Sequence, residues 1–139
     1  MNRNLVLAGI AIALVALGGY SYFSQPEPAS KGSGLPMVSV TIPELTAAQQ
    51  QGEIAYNENC AACHGQNGAG QDGVAPPLVH RIYEPNHHGD QAFFLAAQNG
   101  ARAHHWPFGN MPPVEGVTQQ DVASIVEYVR ALQRANGIN

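Results

Sequence analysis

At 139 residues, with 45% hydrophobic and 12% charged positions, the chain has material for one small globular domain and is no disordered acidic tail. Its formal charge is −4, and from Glu44 onward four arginines stand against nine carboxylates. Nucleic-acid affinity rests on Lys and Arg neutralising phosphates, so this balance excludes a nucleic-acid partner.

Residues 1–4, with Arg3, form a short basic tip, and residues 5–23 run without a charge. As a helix that run is about 28 Å long, close to the ~30 Å hydrocarbon core of a bilayer. The positive flank keeps the tip in the cytoplasm and sends the rest across as a single-pass transmembrane anchor. A cleaved export signal is the competing reading, with Ala16-Leu17-Gly18 and Gly19-Tyr20-Ser21 as weak cleavage candidates. Both place the remainder on the periplasmic, extracytoplasmic side of the cytoplasmic membrane. Residues 24–44 are rich in Pro, Ser and Gly and read as a linker. Within it Val38, Val40 and Ile42 alternate, as in a short strand or an extended segment lying on the domain.

Residues 45–139 form the domain and carry three main helices. Thr46-Ala47-Ala48-Gln49 fits a capping box that opens a helix through Gly52, Ala55 and Tyr56 to about Asn59. Asp90 is the expected N-cap of a second helix, with Phe93, Phe94 and Ala97 on one face and Gly100 as its stop. Thr118 caps the third, in which Val122, Ile125, Val126, Val129 and Leu132 recur at helical spacing until Asn136-Gly137. The connection from 65 to 89 is long for so small a domain and needs something to pack against.

Both cysteines fall in Cys60-Ala61-Ala62-Cys63-His64, the attachment pattern of c-type haem. Two thiols so spaced reach the two haem vinyl groups, and the adjacent His64 becomes the proximal iron ligand. A large covalent cofactor also supplies the core that the long loop lacks. Three rival readings of the pair fit less well. A redox dithiol requires a βαβ setting that the pattern lacks. A zinc site requires two further ligands, from His80, His87 or His88. A bare thiol pair outside the cytoplasm oxidises.

Over about 90 residues the segment resembles the class I cytochrome c family. The resemblance implies a small all-α class I cytochrome c fold, three main helices around one covalent haem c, preceded here by the N-terminal transmembrane helix. Gly52 and Tyr56 match the family's first helix, and Ile125 and Tyr128 match its last, where the two cross. Ala75-Pro76-Pro77-Leu78 looks like the family's Pro-x-Leu segment. By that likeness the Pro76 carbonyl accepts a hydrogen bond from His64 and Leu78 packs on the haem, although a proline pair is otherwise a plain turn marker. His80 stands where relatives often carry a small residue.

The family's distal methionine commonly precedes proline just ahead of the last helix, and Met111 of Gly109-Asn110-Met111-Pro112-Pro113 fits that context. Met1 is the initiator and Met37 lies in the linker. A Met that merely fills core space is the bland alternative, and His104 or His105 are alternative axial ligands. Adjacent loop residues point different ways, so His87-His88 and His104-His105 are expected to be solvated or hydrogen-bonded. Some of these, with Trp106, are candidates for hydrogen bonds to the haem propionates. Together these imply a non-enzymatic one-electron carrier exchanging electrons with a membrane or periplasmic oxidase, dehydrogenase or peroxidase. The alternatives are a haem enzyme or gas sensor with an open sixth position, and a His-rich copper- or zinc-handling module.

Overall fold

The computed structural model describes residues 32–139. The expected membrane helix at residues 5–23 lies outside them, and no helix of the described residues is long and apolar enough to cross a membrane. Four α-helices follow in order: α1 (Ala47–Asn59), α2 (Ala61–His64), α3 (Asp90–Asn99) and α4 (Gln119–Ala135). Two single 3-10 turns, Gln66–Gly68 and Arg81–Tyr83, punctuate the loop between α2 and α3. Among the described residues there is no strand, only the isolated bridges Gln71–Ala75 and Ala101–Met111.

The two long helices begin where local chemistry satisfies their free amides. Thr46 Oγ1 accepts from Gln49 N at 3.3 Å while Gln49 Oε1 accepts from Thr46 N at 3.0 Å. At α4 the same reciprocal box joins Thr118 and Asp121. The expected cap of α3 is corrected: Gly89 holds the N-cap position and Asp90 is the first helical residue. The Asp90 carboxylate instead accepts from Arg130 Nε of α4 at 2.8 Å. Its negative charge still favours the positive end of the helix dipole.

Helices α1 and α4 cross at Gly52. A Cβ there would collide with the Ser124 carbonyl and stand 2.9 Å from Tyr128 Cβ, so only glycine admits this approach. One turn on, Tyr56 and Tyr128 pack with ring centroids 5.5 Å apart. Both rings are fully buried, and their hydroxyls reach the loop after α2: Tyr56 Oη donates to Gly65 O and Tyr128 Oη to Asn67 Oδ1, each at 2.9 Å. Paying the desolvation of two buried phenols with these bonds lets one crossing hold both helices and loop.

The alternating residues near 40 form an extended segment laid on the domain, not a strand. Met37 N and Val38 N donate to Ala69 O, and Thr41 exchanges two 2.9 Å bonds with the Asn136 amide. Val40 and Leu45 pack against the core made by Tyr56, Leu78, Ile125, Val129 and Leu132.

Candidate functional site

Cys60 ends α1, and α2 then makes a single turn in which His64 N donates to Cys60 O at 2.9 Å. Residues three and four apart share a helical face, so this turn presents Cys60, Cys63 and His64 together. All three line one cavity of about 410 Å³, within the ~300–1,000 Å³ usual for cofactor sites. Leu78, Phe93, Val122 and Ile125 supply apolar wall. Of the face expected on α3, Phe93 and Ala97 line the cavity and Phe94 does not. Neighbouring helical positions lie about 100° apart, which turns Phe94 aside.

His64 is oriented from behind. Its Nδ1 lies 2.8 Å from the Pro76 carbonyl, which leaves Nε2 as the free ring nitrogen. Burial pulls the His64 pKa below its ordinary value, against the opposing Pro76 bond, so the imidazole is neutral and its lone pair available. The Pro76–Leu78 segment is itself pinned: Leu78 N and Val79 N donate to Gly68 O, and the buried Gln133 amide donates to Leu78 O at 2.8 Å. Burial, and next the neighbouring Cys63, push the Cys60 thiol up to about 11. Reactive dithiols require the opposite shift, so the pair does not suit thiol–disulfide chemistry.

Met111 reaches the cavity from another direction. Its backbone exchanges two hydrogen bonds with Ala101, Ala101 N donating to Met111 O at 3.0 Å and Met111 N to Ala101 O at 2.9 Å. Gly100 closes α3 with φ 76 and ψ 177, turning the chain into this bridge. Met37 does not line the cavity. His104 and His105 do line it, at the rim, in a loop braced by Ala103 N donating to Asn110 Oδ1 at 2.9 Å.

The cavity fits a large apolar group with a polar edge. Its walls are apolar, two thiols and two candidate iron ligands face it, and one buried donor awaits an acceptor. The Trp106 indole N–H has no hydrogen-bond partner among the described residues. A buried donor left unpaired costs ~1–3 kcal/mol, which an anionic group in the cavity would relieve.

Two residues escaped the sequence reading. Arg130, 6% exposed, donates to Asp90, to Tyr83 O at 2.7 Å, to Gln133 Oε1 and to His88 O at 2.6 Å, with its guanidinium 5.1 Å over the Phe93 ring. It therefore locks the 83–90 loop and α3 onto α4. Gln133, fully buried, pins Leu78 and Tyr83. The signal was present in the four-residue spacing: Val122, Val126, Arg130 puts a charge on the buried stripe, where it needs fixed partners.

The histidine expectation also changes. His87 and His88 do not diverge; a turn in which both their amides donate to Glu84 O stacks the rings, 4.7 Å apart and 26° from parallel.

The family model for cytochrome c matches residues 49–133, more than half of the chain. The chain is similar to the cbb3-type cytochrome c oxidase subunit CcoP of Cereibacter sphaeroides, 35% identical over 88 residues. That alignment covers 62% of this chain and 28% of the relative. A shorter stretch of 38 residues is 53% identical to the subunit CcoP of Azospirillum brasilense, covering 24% of this chain and 13% of that one. The chain thus spans under a third of the length of these relatives. Its helical fold, its thiol-and-imidazole turn and these matches show that it belongs to the cytochrome c family, with covalently attached haem c.

Proposed function

We propose that the protein is a membrane-tethered monohaem carrier in which Cys60 and Cys63 hold the haem as thioethers, His64 is the proximal ligand and Met111 the distal one. The observation that carries this is the convergence of all four side chains on one apolar cavity. When bound, the haem iron cycles between ferric and ferrous states by one electron. The protein's part is positional. Pro76 fixes the His64 tautomer, Leu78 and Ile125 exclude water, the Ala101 bridge holds the Met111 backbone, and Trp106 donates to a haem carboxylate. A neutral thioether favours the ferrous ion and raises the potential.

Residues 5–23 anchor this domain at the outer face of the cytoplasmic membrane, and the leash is the part of 24–44 ahead of Ser33, because Ser33 to Thr41 are bonded to the domain. A tether raises the encounter rate with membrane partners through effective concentration. The acidic domain suits basic docking surfaces. The likeness to oxidase subunits makes a membrane terminal oxidase the partner to test first, ahead of dehydrogenases and peroxidases.

Carbon monoxide separates this reading from a gas sensor or haem enzyme. With Met111 on the iron, the reduced protein binds the gas slowly and weakly. Fast, stoichiometric binding means an open sixth position and refutes the carrier reading.

A further inference from the structure

Four imidazoles outside the His64 turn converge on one place. The His87 and His88 rings stack, the His105 ring meets them edge-on with centroids 5.1 and 5.4 Å away, and His104 lies 4.2 Å from His105. One ring nitrogen from each of His87, His88 and His105 lies within 4.8 Å of the other two. The two loops that bring them together are held independently, one by Arg130 on the His88 carbonyl and the other by the Ala101–Met111 bridge. Close-set imidazoles gain little from packing at a surface and repel one another when protonated.

We propose that His87, His88 and His105 form a site for one divalent transition-metal ion, separate from the haem iron. His88 is already prepared for the role. Its Nδ1 lies 2.6 Å from the Ile82 carbonyl, which fixes the tautomer and leaves Nε2 to face a metal, the arrangement that outer partners impose on metal-bound histidines. Tetrahedral ligation at ~2.0–2.1 Å brings ligand nitrogens to about 3.3 Å apart, so the rings must close by about 1.5 Å. His87 and His105 are exposed and free to rotate that far. His104, with its own Nδ1 2.7 Å from Arg102 O, or a water fills the fourth position. Three neutral nitrogens and no thiolate suit copper(II) and zinc(II), and the general affinity order places copper(II) first. The site rests on Met111, and not His104 or His105, being the distal haem ligand, an assignment that carbon monoxide binding reads separately from metal counted per haem.

The test is equilibrium dialysis of the holoprotein against copper(II) alone and, separately, zinc(II) alone, with metal counted per haem. The expected result is one ion per haem, copper held more tightly. The expected copper(II) electron paramagnetic resonance signal shows nitrogen coupling from imidazoles. His87→Ala and His105→Ala each weaken binding about tenfold or more, by analogy with the loss on disturbing a metal's surroundings. His87 does not line the haem cavity, so its variant keeps the wild-type haem spectrum and separates ion binding from misfolding. No ion beyond haem iron in the wild type, or equal binding in wild type and both variants, overturns the proposal.

Discussion

Ala101 and Met111 face each other across an isolated antiparallel bridge, exchanging hydrogen bonds of 3.0 and 2.9 Å ten residues apart in the chain. This bridge sets the height at which the Met111 side chain enters the cavity. Its geometry depends on Gly100, whose φ 76 and ψ 177 fall in a region essentially confined to glycine. A Cβ there would also press on the Met111 carbonyl. Gly100→Ala is therefore expected to cost about 2 kcal/mol in denaturant unfolding of the holoprotein. It should also weaken the ferric methionine–iron absorption band. A variant as stable as wild type with an unchanged band would show that the bridge does not position Met111.

Arg130 and Asp90 form a pair of unequal members. The Arg130 side chain is 7% exposed and Asp90 63% exposed. Removing the guanidinium strands the His88 carbonyl and Gln133 Oε1 and leaves the Tyr83 carbonyl only its bond from Gln133 Nε2, whereas a freed Asp90 carboxylate meets water. Arg130→Met should cost about 3 kcal/mol and Asp90→Asn under ~1 kcal/mol, read by chemical denaturation. Equal losses from the two would mean that the ion pair alone, and not the buried fan of hydrogen bonds, does the holding.

The α4 capping box makes stability depend on acidity. Hydrogen bonds from the Thr118 side chain first, and its backbone N–H next, hold the Asp121 carboxyl below its usual value of 3.8. A carboxyl with a depressed folded-state pKa adds stability that is full above its unfolded value and lost as pH falls through the folded one. Wild type should thus melt above Asp121→Asn at neutral pH, with the gap closing as pH drops well below 3.8. A gap that stays constant with pH would show that the charge on Asp121 contributes nothing.

Helices α1 and α4 were legible because their signals are local: a cap, a cap partner three positions on, then apolar positions at helical spacing. The Cys60–His64 turn was legible for the same reason. Asp90 misled, since an acidic residue at a helix start reads as a cap unless its partner, Arg130 forty residues on, is known. The histidines suggested a metal-handling alternative in the sequence, but which of them meet was not legible, for a related reason. The cluster joins two loops seventeen residues apart, and only the bracing by Arg130 and by the Ala101–Met111 bridge brings them together. Pro76 was suggested by its likeness to a family segment; its 2.8 Å contact with His64 depends on Gly68 and Gln133 holding the segment, which no local pattern encodes.

The proposed electron relay requires His64 and Met111 to close the two faces of one covalently held haem. A spectroscopically monitored redox titration of wild type and Met111→Ala tests it most directly. The wild type should titrate as a single one-electron couple and show the ferric methionine–iron band. Met111→Ala should lose that band and fall strongly in potential. An unchanged band and potential in Met111→Ala would contradict the ligand assignment.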